Sequence, residues 1–138
     1  MTKLAIAIAL LSILSIPAGA ADLTMHVTNI CEVKGDLYWK IFNSAESYQS
    51  DTQPVMAGIS QVQADSLRLT LHDVPTGQYA IKLFHDANGN GEMDSNLLGI
   101  PSEGYGFSND AGRFGPPTFS EAGVLVETDV VMTITVRQ

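Results

Sequence analysis

Residues Leu67–Asp94 read LRLTLHDVPTGQYAIKLFHDANGNGEMD. Leu67, Leu69 and Leu71 alternate with Arg68, Thr70 and His72, the period of a strand with one buried face. Asp73-Val74-Pro75-Thr76-Gly77 is turn chemistry, because Pro presets φ and Gly permits positive φ. Tyr79, Ile81 and Leu83 then resume the alternation, with Lys82 outward. As this strand ends, oxygen-bearing side chains fall at every second position: Asp86, Asn88 and Asn90. Gly91 and Asp94 follow. A strand, a turn, a second strand and an oxygen-rich loop are therefore contiguous.

The same period of two runs outward in both directions. Leu23, Met25 and Val27 alternate with Thr24, His26 and Thr28. Lys34-Gly35-Asp36 is a turn. Leu37, Trp39 and Ile41 alternate with Tyr38, Lys40 and Phe42, with Lys40 marking the outer face. Asn43–Ser50 is compatible with one or two helical turns after an Asn43 or Ser44 cap. Val55–Gln63 is a weaker strand, interrupted by Gly58. Val130, Met132, Ile134 and Val136 form the last strand, with a short one at Val124–Glu127 before it. Many short strands, turn signals between them and almost no helix define an all-β fold. The expected architecture is a Greek-key β-sandwich of six to seven strands, immunoglobulin-like in outline, with one long ordered loop. That loop, Leu97–Gly123, is too long for an ordinary connection. Its aromatics, Tyr105, Phe107, Phe114 and Phe119, argue for order.

The first residues read as a signal peptide. Lys3 supplies the basic region, Leu4–Ile16 the apolar run, and Pro17-Ala18-Gly19-Ala20 the small-residue cleavage pattern. The expected division is 1–20 leader and 21–138 one domain, exported to the periplasm or secreted. The formal charge of the whole chain is -8. Such acidity repels phosphate backbones and anionic lipid, which argues against nucleic acid and membrane surfaces as partners. A single cysteine, Cys31, allows no internal disulfide. Its ordinary reading is a small buried hydrophobe at a strand end.

The chemistry concentrates in two places. Asp86, Asn88, Asn90, Glu92 (through its carbonyl) and Asp94 have the alternating oxygens that a calcium loop uses, and Gly91 stands where such a loop turns sharply. The twelfth position is Leu97 in place of a bidentate Glu, so the set is short of a ligand pair. Glu103 or Asp110, returned by the long loop, would complete it. The expected affinity is that of extracellular modules, about 10⁻⁴–10⁻³ M. The plainer alternative is an Asx-turn loop without metal. The second place is Tyr105, Phe107, Arg113 and Phe114, an aromatic and cationic surface for a glycan or an envelope protein. The plainer alternative is that these rings close one end of the sandwich. His26, His72 and His85 read as surface or supporting residues, and no nucleophile motif is present.

The pieces GQYAIKLFHDANGNGEMD and LLGIPSEGYGFSNDAGRFGPPTF closely resemble the shared core of the bacterial domain-of-unknown-function family numbered 2141. The likeness runs from about Leu23 to the C-terminus. It implies export and assigns no activity. VPTGQYAIKLF is also similar to the strand-and-turn motif of prealbumin-like sandwiches, such as carboxypeptidase regulatory domains, which implies fold alone. The expected function is a non-enzymatic binding or scaffolding module of the envelope. The alternatives are a hydrolase of an envelope polymer, using acids such as Asp94, Glu103 or Asp110, and a purely structural domain.

Overall fold

A computed structural model describes residues 19–138, and the expected leader lies outside them except for Gly19 and Ala20. The strands are β1 Ala20–Thr28, β2 Asp36–Phe42, β3 Met56–Gln61, β4 Leu67–Pro75, β5 Gly77–Asp86, β6 Tyr105–Phe107, β7 Val124–Val126 and β8 Val130–Thr135. One short helix, α1 (Ala45–Ser50), follows β2. One sheet has the order β4-β1-β8, and the other has β3-β2-β5-β6, with β7 pairing beside β5. The protein is an all-β sandwich, as the alternation implied.

Burial follows the period of two. Leu23, Met25 and Val27 of β1, and Met132 and Ile134 of β8, face Leu37 and Ile41 of β2 and Ile81 and Leu83 of β5 in one core. Each such side chain contributes roughly 1.5–3 kcal/mol by leaving water. β1 runs antiparallel to β4 and parallel to β8, so the first and last strands lie side by side. β3 is shorter than the expected Val55–Gln63, but it accommodates its glycine for a clear reason. The ring of Trp39 lies over Gly58, its partner across β2–β3, in the space a side chain would fill.

α1 starts where expected. Ser44 is the cap, and its side chain accepts a hydrogen bond from the Ser47 amide. The helix covers part of the outer face of the larger sheet. There Phe42, Tyr48, Ala80 and Ala122 are buried together, with Ala111 and Phe119 of the long loop packed against them. Tyr48 meets Phe42 edge-on at 5.7 Å and Phe119 at 6.0 Å. The outward face of β5 is thus covered at Ala80.

Three expectations need correction. The strand count among the described residues is eight, because three residues of the long loop, Tyr105–Phe107, pair with β5. Gly106 makes this possible: a Cβ there would stand 2.7 Å from Ile134 and 3.3 Å from Leu83. Cys31 is exposed in the β1–β2 connection instead of buried at a strand end. His85 is buried, not superficial, since it continues the inward face of β5; its Nε2 donates to the Lys34 carbonyl at 2.6 Å.

Ser108 joins the loop to the sheet. Its hydroxyl accepts from the Ile81 amide at 2.9 Å and donates to the Ala122 carbonyl, all of it buried. Ser108→Ala leaves both backbone groups without a partner, at about 1–3 kcal/mol each. The expected outcome is a fall of at least about 2 kcal/mol in unfolding free energy, read as a lower urea midpoint with an unchanged slope. Gly58→Val adds methyls where the Trp39 ring already lies, with a Cβ only 2.3 Å away. It should cost about 1–3 kcal/mol, while Trp39→Ala combined with it recovers part of that loss.

Candidate functional site

Asp86 ends β5 with its side chain on the outer face and no exposure. A carboxylate in that position needs donors. The next five residues supply them: Oδ1 accepts from the amides of Gly89 and Asn90 at 3.1 and 3.2 Å, and Oδ2 from Gly91 at 2.8 Å. Gly89 and Gly91 have φ of +74° and +76°, which lets the chain curl back so tightly. Asn88 and Asn90 repeat the device one step on. Their Oδ1 atoms accept from the Asn90 and Glu92 amides at 3.2 and 3.0 Å.

The far side of the loop is Asp94. It takes the Asn88 Nδ2 on one oxygen at 2.5 Å and the Asn90 Nδ2 on the other at 2.8 Å. These donors, Asn90 foremost and then Asn88, hold the Asp94 carboxyl below its ordinary value. The Asp94 amide donates to Glu103 Oε2 at 3.3 Å. Glu103 is buried, and its second oxygen, Oε1, has neither solvent nor a hydrogen-bond partner.

Between Asp94 and Glu103 the chain makes a closed excursion. Ser102 donates to the Asp94 carbonyl, Ser95 bridges to Pro101, and Asn96 Oδ1 accepts from Leu98 and Ile100. The tip exposes Leu97, Leu98 and Ile100. This excursion returns Glu103 to the loop, where it meets the Asp94 amide. Asp110, the other candidate, is held elsewhere: its carboxylate accepts from Thr135 N and Oγ1 at 2.7 and 3.3 Å, and Arg137 grips its carbonyl at 2.6 Å.

Hydrogen bonds thus link Asn88 and Asn90 to Asp94 and the Asp94 amide to Glu103, while Asp86 is held by the amides of Gly89, Asn90 and Gly91. Among the described residues, no three His, Cys, Asp or Glu side chains alone stand ready as a metal set. A cation here has to draw on amide and backbone oxygens as well. An all-oxygen donor set with one unserved carboxylate oxygen is the chemistry of a hard divalent ion of calcium's kind.

The aromatic candidates separate. Tyr105 and Phe107 are half-buried on β6, edge to face at 6.0 Å. Phe114 is fully exposed at the loop tip, and Arg113 beside it is exposed without an ion pair among the described residues. The cation that clamps the loop is Arg137, through Asp110 and Ala111 carbonyls. Sequence reasoning also missed that Tyr105 and Phe107 continue rows begun on other strands. Tyr38 pairs with Phe84, and Phe84 with Tyr105; Lys40 pairs with Lys82, and Lys82 with Phe107.

These rows floor a cleft of about 740 Å³. Its sides are the C-terminal end of α1 (Tyr48, Gln49, Asp51), the oxygen loop (Gly91, Glu92, Met93) and Pro116–Thr118. Lys40 pairs with Asp51 at 2.9 Å. Lys82 donates to the Tyr48 carbonyl at 2.6 Å, stands 3.7 Å from Asp51, and lies over the Tyr48 ring at 4.2 Å. Burial lowers the Lys82 ammonium, and Asp51 opposes that shift.

Fold and site together define a small β-sandwich with an oxygen-lined loop and an aromatic cleft on one sheet face. The chain belongs to the family described as "Uncharacterized protein conserved in bacteria (DUF2141)", which matches residues 25–134. No curated protein and no solved structure matches the chain.

Burial, and then the Glu121 carboxylate, push the Tyr48 hydroxyl up to about 12, and its oxygen has no partner. The fold favours the protonated phenol. Its contribution is full below the ordinary value of 10.0 and is lost as pH rises toward 12. Lys82, lowered, changes stability in the opposite sense, and its change is complete by about its ordinary value of 10.5, below most of the tyrosine range. The difference between the native chain and Tyr48→Phe isolates the tyrosine. Tyr48→Phe is expected to equal or exceed the native chain in stability at neutral pH and to lack the alkaline loss, measured by urea titration between pH 9 and pH 12.

Proposed function

We propose that this chain is an exported, non-enzymatic binding or scaffolding module of the bacterial envelope, with calcium as the structural ion of loop 86–103. The observation that carries the reading is Glu103. A buried carboxylate oxygen without a partner is expensive, and a divalent cation is the partner that the surrounding oxygens suit. Asp86 and Asp94 supply further charge, and Asn88, Asn90 and the Glu92 carbonyl complete the donors. Arrival of the ion requires the Asn88 and Asn90 amides to turn, because their Nδ2 groups now face Asp94. The leader supports export. The cleft beside the loop supports binding as the module's task, with a glycan or an envelope protein as the partner.

The test is calorimetric titration of calcium into the chelator-treated mature chain, with thermal melts alongside. Tenfold saturation over the Kd should add about 1.4 kcal/mol of stability. Glu103→Gln keeps an acceptor for the Asp94 amide and removes the charge. It should abolish the calcium-dependent rise in Tm while the calcium-free melt stays within a few degrees of the native chain. Absence of both heat and Tm change at millimolar calcium would sink the metal assignment.

A further inference from the structure

The cleft on the outer face of β2, β5 and β6 has a definite chemistry. In a sheet, residues in register on adjacent strands stand about 5 Å apart on the same face. Tyr38, Phe84 and Tyr105 therefore form one continuous aromatic row across three strands, and Phe107 extends it on β6. Tyr38 and Phe84 are stacked at 4.9 Å with 14° between their planes. All four rings are only half-buried, although the same face is fully covered a few residues away by Tyr48 and Phe119. The cleft volume is that of a small-ligand site.

The charges select among occupants. Lys40 and Lys82 both face Asp51, and Lys82 also serves the Tyr48 carbonyl and two ring faces. Lys40 and Lys82 set against Asp51 and Glu92 leave the lining without net charge, and the complementary occupant is neutral. An occupant made only of hydrocarbon would desolvate Gln49, Thr118 and the Tyr38 hydroxyl without offering them partners. A peptide strand would want an open sheet edge, and this cleft lies on a sheet face. A pyranose meets both demands: carbon-bound hydrogens on its ring faces lie on aromatic rings, and hydroxyls at its rim reach the polar walls.

We propose that the Tyr38–Phe84–Tyr105–Phe107 cleft binds a neutral saccharide chain and that the cation loop controls its affinity. Gly91, Glu92 and Met93 form one wall, and Gly91 lies against the Tyr38 hydroxyl, where an added Cβ would be 3.7 Å away. An ion that fixes residues 86–94 fixes this wall, so calcium tightens saccharide binding and the saccharide tightens calcium in equal measure. The saccharide assignment stands on the cleft alone; the coupling rests on the calcium reading above.

The experiment follows aromatic carbon–proton NMR spectra of the mature chain during titration with cellotriose, maltotriose, galactotriose and chitotriose, each in millimolar calcium and in EDTA. A ten-residue proline-rich peptide is run as a competitor class. Shifts confined to Tyr38, Phe84, Tyr105 and Phe107 for at least one sugar, about fivefold or more tighter in calcium, are the expected result. Phe84→Ala and Tyr105→Ala should lose the binding while retaining the calcium-induced rise in Tm, which shows that each variant is folded. A rise in Tm with calcium but no shift from any trisaccharide overturns the saccharide site and leaves the proposed function standing. Shifts from the peptide alone overturn it in favour of a protein partner. Equal saccharide affinity in calcium and EDTA, with calcium bound, overturns the coupling. Saccharide binding with no calcium heat overturns the metal reading and leaves the saccharide assignment intact.

Discussion

Asp86 is a carboxylate with no water around it, placed at the end of the strand that joins most of the larger sheet. β5 pairs with β2, β6 and β7, so whatever finishes it must satisfy a charge without breaking the ladders on either side. The chain answers with three backbone N–H groups from the next five residues. That demand dictates the glycines, the tight curl and the outward direction in which the chain leaves the sheet. The cleft wall at Gly91–Met93 follows directly from this one local requirement.

The larger sheet is consequently used on both faces. Its inner face is ordinary sandwich core. Its outer face carries a small aromatic cluster under α1 at one end and an open aromatic row at the other, with two lysines between them. The long loop is held against this face by Ser108, Asn109 and Asp110, which bond to β5, the β7 approach and β8 respectively. Held at these points, a loop rich in glycine and proline behaves as part of the wall, and its irregular path carries little loose backbone.

Much of the sandwich was readable from alternation, because a strand with one wet face writes its burial into every second residue. Leu67–Leu71, Tyr79–Leu83 and Val130–Ile134 all face inward as the pattern required. β6 was not readable. Three residues flanked by glycines give no period, and their pairing depends on Ile134 and Leu83 accepting Gly106 at close range. Lys82 pointed outward as expected, but outward here means beneath a helix, which no local pattern can express. The oxygens of 86–94 were visible as a set because they are sequential. Glu103 became the favoured partner over Asp110 only once Thr135 and Arg137 were seen to hold the latter. The aromatic row escaped notice because Tyr38, Phe84 and Tyr105 come from three strands and meet only through register.

The pairing of β1 with β8 has a consequence for how the chain is made. These strands are parallel neighbours, with Leu23 opposite Val130 and Thr28 opposite Thr135. The three-stranded sheet cannot close until more than a hundred residues have been synthesised, and contacts of such long sequence separation form slowly. The β2–β3 and β2–β5 ladders span far shorter separations, so the pairing of the first and last described strands is the step that topology makes slowest.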